Sequence, residues 1–119
     1  MARTVCNKTT LLGAFPTLPI TADTADVVLS AADVGNMNYA VHGGRDILFA
    51  FNSGGSPYTV TITSAPLNGR SGDITTYSIG AGEIAAFGPF TEQGWKQADG
   101  SLYFQASNVA VKFFIITIP

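Results

Sequence analysis

The chain has 119 residues, enough for one domain that buries a core without disulfides or metals. Only 12% of its residues are charged, 46% are hydrophobic, and the net charge is −2; ordinary globular proteins carry about 25% charge. These values exclude a strong field for nucleic acid or an anionic membrane. The single cysteine, Cys6, excludes an internal disulfide, and no apolar run approaches the ~20 residues of a membrane-spanning helix. A surface poor in Lys, Glu, Asp and Arg is clothed in Thr, Ser, Asn and Gly or is hidden against partners, so the composition leans toward assembly.

Residues 1–22 read as an extended N-terminal arm, followed by one domain over 23–119. Pro16 and Pro19 break any helix, and no period of two runs through the segment. Arg3 and Lys8 bring positive charge with no acid before Asp23, and Phe15, Leu18 and Ile20 supply apolar side chains. The broken apolar stretch does not fit a signal peptide. Such a segment either packs along its own domain or reaches onto a neighbour. Asp23, Asp26 and Asp33 follow, but their spacing lacks the alternating ligands and closing Glu of a calcium loop. Ser30 to Asp33 suits a short helical turn, with Ser30 as cap and Gly35 as stop.

From residue 45 onward strands and turns alternate. Ile47 to Phe51 is an unbroken apolar run that suits a strand buried on both faces. Residues 52–57 form a loop, and Tyr58 to Thr63 alternates, with Tyr58, Val60 and Ile62 inward. Asn68-Gly69 and Ser71-Gly72 mark turns. Ile74 to Ile79 is a further strand, which Gly80-Ala81-Gly82 turns into Ile84 to Phe87. Trp95 to Gln97 and Leu102 to Gln105 flank Asp99-Gly100 as a hairpin. Val109 to Ile118 is the last strand. It is apolar on both faces apart from Lys112, so it is either central in a layered core or covered by a partner. About seven or eight short strands without crossover helices predict an all-β fold, an antiparallel β-sandwich or jelly roll.

Candidate chemistry is sparse. His42 lies near Asp46, but no Ser or Cys stands in a nucleophile context, and His42 with Cys6 is too few ligands for zinc. Gly43-Gly44 and Gly54-Gly55 lack the Lys and following helix of a phosphate loop. Glu83 and Glu92 sit in turns, with no cleft-building insertion around them. The chain is therefore read as a non-enzyme with no catalytic residue, no metal and no cofactor. Trp95, with Phe90 and Gln97 close in sequence, suits a core or interface anchor better than a sugar platform. Arg70 and Asp73 are read as exposed turn charges that contact a partner or each other.

Several segments, in order, resemble one group of proteins. They are the opening Met1-Ala2-Arg3-Thr4 with its Pro-rich continuation, Tyr58 to Thr63, Arg70 to Ile74, Ala81-Gly82-Glu83, Phe87-Gly88-Pro89-Phe90, Gly94-Trp95, Val111-Lys112-Phe113 and Ile118-Pro119. Together they look like the cement, or decoration, proteins of tailed-bacteriophage heads. The resemblance covers most of the chain, although each motif is made of turn residues and core aromatics. It implies a jelly-roll or β-tulip domain, assembly with itself as a dimer or trimer, and the major capsid protein as partner; the charge balance points to neither nucleic acid nor membrane as a further partner. It also implies a place on the outer surface of the head after synthesis in the bacterial cytoplasm. The expected contacts are Arg3, Lys8, Phe15 and Leu18 of the arm, with Arg70, Phe90 and Trp95. Two other classes stay open: a carbohydrate- or receptor-binding β-sandwich, and a minor tail or neck structural protein.

Overall fold

The computed structural model describes residues 3–10, 27–65 and 72–117. Ten strands occur among them: β1 (Thr4–Val5), β2 (Lys8–Thr10), β3 (Ser30–Ala31), β4 (Asn38–Val41), β5 (Asp46–Asn52), β6 (Tyr58–Thr63), β7 (Ile74–Ile79), β8 (Ile84–Phe90), β9 (Ser101–Ala106) and β10 (Val111–Thr117). They form two sheets, ordered β1-β4-β9-β6-β7 and β2-β10-β5-β8, with β3 also on β10. The fold is thus the all-β sandwich expected. Pairing is antiparallel except for β1 with β4 and β2 with β10.

The core lies between the sheets. Alternation along the strands directs Leu48, Ala50, Val60, Ile62, Leu102, Phe104, Val111, Phe113 and Ile115 inward, and all are fully buried. Phe104 of one sheet meets Phe113 of the other edge-on, with ring centroids 4.7 Å apart. Ala50, cross-strand from Phe113, leaves room for that ring. The two ends of β5 are buried polar plugs. Asn52 donates to the carbonyls of Ser56 (2.7 Å) and Ile79 (2.9 Å) and accepts from the Gly54 amide. Asp46 accepts from the Gly43 amide and the Thr117 hydroxyl, each at 2.7 Å, and pairs with Lys8 at 3.1 Å. Such groups are tolerated inside because their hydrogen bonds are complete.

The start of the segment read as an arm is woven into both sheets. β1 lines the edge of the first sheet, the chain crosses at Cys6-Asn7, and β2 lines the edge of the second. Cys6 is buried at the crossing, and burial pushes its thiol up to about 11. The rest of that segment, 11–22, lies outside the described residues.

Two local expectations are corrected. Ser30 to Asp33 is not helical: Ser30–Ala31 pairs antiparallel with β10, and Asp33 to Asn36 makes a turn. A single helical turn carries the whole nucleation cost for few bonds, whereas β10 offers a ready ladder. The residues read as caps serve tertiary contacts instead. Ser30 Oγ accepts from the Asn7 amide, and Asp33 accepts from Thr4 Oγ1 and the Asn36 amide. Trp95 to Gln97 is not a strand either. Residues 92–95 form an irregular helical turn, and Gln97 closes a tight turn against Gly100 and Ser101. The last strand starts at Val111, so Val109 lies in the preceding turn and is exposed.

Candidate functional site

The two outer faces of the sandwich differ in chemistry. On the first sheet β6 turns Thr59, Thr61 and Thr63 outward, and β9 turns Tyr103 and Gln105 outward. Arg3 lies over the Tyr103 ring at 4.1 Å, and the Tyr103 hydroxyl donates to Asp99. This hydrogen bond holds the Asp99 carboxyl below its ordinary range and the Tyr103 hydroxyl above its own.

The second sheet turns apolar side chains outward. Asp46, Leu48, Ala50 and Asn52 of β5 face inward, so Ile47, Phe49 and Phe51 face out. β10 adds Phe114 and Ile116 beside them, and β8 adds Ile84 and Ala86. The register arranges these in rows: Ile116 beside Ile47, Phe114 beside Phe49 beside Ala86, and Lys112 beside Phe51 beside Ile84. Phe49 and Phe114 stack nearly parallel, at 7° and 4.7 Å. Lys112 is the one charge in these rows.

Val27 and Leu29 curl over one side of this face and, with Phe51, Ile84 and Phe114, enclose a shallow groove of about 450 Å³. Asn7 anchors the curl: its side-chain amide donates to the Val28 carbonyl and its backbone amide to Ser30 Oγ. Ile84 is 59% exposed and Leu29 43%. Ile47, Phe49, Phe51, Phe114 and Ile116 are half-buried, so the fully exposed apolar area of this face centres on Ile84 and the Val27–Leu29 curl.

The residues expected to contact a partner are placed as follows. Arg3 is half-buried on the first sheet, where its guanidinium donates to the carbonyls of Asn38 (3.1 Å) and Phe104 (3.4 Å), and burial lowers its basicity. Lys8 is engaged with Asp46 and with the Val41 carbonyl at 2.7 Å. Phe90 is a core residue, 2% exposed, and so presents no surface to a partner. Trp95 is half-buried and packs edge-on against Phe90 at 4.9 Å. The two therefore form an interior pair rather than an exposed aromatic patch, because β8 turns Phe90 toward the core. Asp73 accepts from both the amide and the hydroxyl of Ser64, which lowers its carboxyl from the ordinary range. Phe15, Leu18 and Arg70 lie outside the described residues.

The apolar face was not among the residues singled out from sequence. Its signal was present in two runs, Ile47 to Phe51 and the two-sided final strand, which the fold sets side by side. Comparisons with protein-family models, with curated proteins and with solved structures return no match.

Proposed function

We propose that the protein is a structural virion component that docks on the outer surface of an icosahedral phage head and stabilises it by bridging major capsid protein subunits. The observation that carries this reading is the outer face of the β2-β10-β5-β8 sheet, with Phe49, Phe51, Phe114, Ile47, Ile116 and Ile84 turned outward in register. The ordered resemblance of the chain to phage decoration proteins supplies the partner class. The low charge of the chain suits a surface that spends its life covered.

Magnitudes favour a repeating partner. Three strands and three rows span roughly 15 by 20 Å. Covering ~300 Å² of apolar surface gains about 7 kcal/mol at ~25 cal/mol per Å², which is of the order of the cost of association itself. One copy on one isolated subunit then binds weakly. A shell that presents contacts from several subunits at once binds better, and the bound protein favours the assembled lattice by mass action.

The test uses Ile84→Asp, which alters a mostly exposed side chain and is expected to change stability by no more than about 0.5 kcal/mol. Purified shells are mixed with either protein, sedimented, and the bound protein is quantified against the major shell protein. Saturation by the unaltered protein at a simple fraction of the shell subunits, with binding lost in Ile84→Asp, is the expected outcome. Equal binding by the variant removes this face from the contact. A dozen copies or fewer per particle moves the protein to the tail or neck.

A further inference from the structure

Besides its apolar face, the second sheet ends in a strand edge of unusual character. β8 pairs with β5 on one side, and no described strand pairs with its other side. The other sheet edges are blunted in ways natural proteins use against edge-to-edge pairing. β1 has only two residues, and β7 is broken by a register shift and by Thr76 at φ 47°. β2 and β3 are short. β8 is blunted too in its second half, by the Asp46/Leu48 shift and by Pro89, which has no amide to donate, but it is regular from Ile84 to Phe87. Ile84 to Phe90 contains no charged residue.

The hydrogen-bond phase of this edge follows from its neighbour. The Asn52 amide donates to the Glu83 carbonyl and the Gly82 amide to the Asn52 carbonyl. The two-residue repeat of an antiparallel ladder then turns the amides of Ala85 and Phe87 toward β5, and those of Ile84 and Ala86 away from it. What such an edge recognises is an extended backbone carrying the same alternation.

We propose that β8 pairs antiparallel with β8 of a second copy about a two-fold axis at Ala85, making a dimer with one continuous sheet. The sequence Ile84-Ala85-Ala86-Phe87 is self-complementary in that register. Ile84 of one copy exchanges hydrogen bonds with Ala86 of the other and the reverse holds, giving about four backbone bonds. The large Ile84 side chain lies beside a small Ala86. Ala85 faces Ala85 at the axis, in the non-hydrogen-bonded pair where side chains come closest. The axis is isologous, so the pairing closes at two copies. It also sets the two apolar outer faces side by side, with the Phe51–Ile84 row of each copy running into the Ala86–Phe49 row of the other. A four-residue edge covers less than the ~800 Å² per partner of a standard interface, so the dimer dissociates on dilution.

The proposal stands apart from the shell-binding reading, and its test needs no shell. Sedimentation of the full chain from micromolar to millimolar concentration is expected to show a monomer–dimer equilibrium. Ala86→Pro removes only an outward amide, a change that edge strands tolerate, and Ala86→Lys adds the charge that natural edges carry. Both are expected to remain monomeric with an unchanged melting temperature. Ala85→Cys is expected to cross-link into a disulfide dimer on mild oxidation, while the unaltered protein, with Cys6 buried, does not. A monomer at every concentration, a trimer or larger ring, or dimerisation surviving in Ala86→Lys would each overturn the proposal. If Ala86→Pro fails to fold, Ala86→Lys and the Ala85→Cys cross-link decide it.

Discussion

Lys8 offers a sharp test of whether the N-terminal cations serve the fold or a partner. Its ammonium is 3.1 Å from Asp46 and 2.7 Å from the Val41 carbonyl, so it ties β2 to β5 within one sheet and reaches β4 in the other. The Asp46 side chain is wholly inaccessible, whereas that of Lys8 is 26% exposed. Lys8→Met keeps the apolar stem and removes the charge. Asp46 then retains the Gly43 amide and the Thr117 hydroxyl but loses its counter-charge. Stripping one partner from a fully buried pair costs about 3–5 kcal/mol. Partial exposure of the lysine reduces this to about 2 kcal/mol, near the value of a hydrogen bond to a charged group.

Urea unfolding of Lys8→Met, Asp46→Asn and the double variant would measure the pair directly. A coupling of about 1–2 kcal/mol is expected, with unchanged urea dependence. The coupling should persist at ~0.5 M salt, because one partner lies out of reach of solvent ions. If Lys8→Met leaves the unfolding midpoint where it was and instead abolishes attachment to shells, the structural assignment of Lys8 is wrong and the arm is a contact element at that point.

Other expectations follow from the same packing. Gly43→Ala should destabilise the protein by about 1–3 kcal/mol in the same assay, because an added Cβ would lie 2.8 Å from the Asp46 carboxylate and 2.9 Å from the Lys8 ammonium. Phe113→Ala should cost about 3–5 kcal/mol by urea unfolding, since its ring is fully buried against Phe104. Asp33, Asp73 and Asp99 all have lowered carboxyl pKa values in the fold, through hydrogen bonds from Thr4, Ser64 and Tyr103 in turn. Their stabilisation is complete above the unfolded carboxylate range near pH 4 and is lost as pH falls through the folded values, so melting temperatures should drop on acidification below about pH 4. Cys6 works in the opposite direction. Its thiol is raised to about 11 from 9.0, so its contribution is intact below pH 9.0, is lost as pH rises through about 11, and a thiol reagent at neutral pH should label only unfolded protein.

How far the fold was legible depended on whether local pattern and tertiary demand agreed. Tyr58 to Thr63 alternates cleanly, and it became β6 with Val60 and Ile62 buried. Ile74 to Ile79 and the start of β8 were equally clear, because glycine turns bracket them. β1, β2 and β3 were not legible. They are two or three residues long and exist because the edges of β4 and β10 accept them. Ser30 and Asp33 carry a helix-cap signature, but both side chains were recruited by the crossing chain at Thr4 and Asn7. Phe90 misled for a different reason. It was expected beside Trp95 in a partner-contacting patch, yet the shift opposite Asp46 turns its ring inward against Trp95.

β5 holds the deeper lesson, and with it the case for the docking face. Asp46-Ile47-Leu48-Phe49-Ala50-Phe51-Asn52 reads as a strand buried on both faces, and hydropathy alone does not choose its phase. The fold turns Asp46, Leu48, Ala50 and Asn52 fully inward and leaves Ile47, Phe49 and Phe51 half-buried on the outer face. A one-residue slip would exchange the two faces completely, so the observed phase must be held by large terms. Two are visible. Asp46 and Asn52 each close several hydrogen bonds at the ends of the sandwich, which no solvent-facing position would supply. The interior beside Ala50 is already filled by Phe113 meeting Phe104, so a second inward pair of phenylalanines on β5 would overpack it. The aromatic surplus is therefore displaced outward, where Phe49 stacks on Phe114 and the row continues to Ala86. Buried carboxylate and amide groups at its two ends thus hold β5 in the phase that keeps its largest side chains on the outer face, the face on which the docking proposal rests.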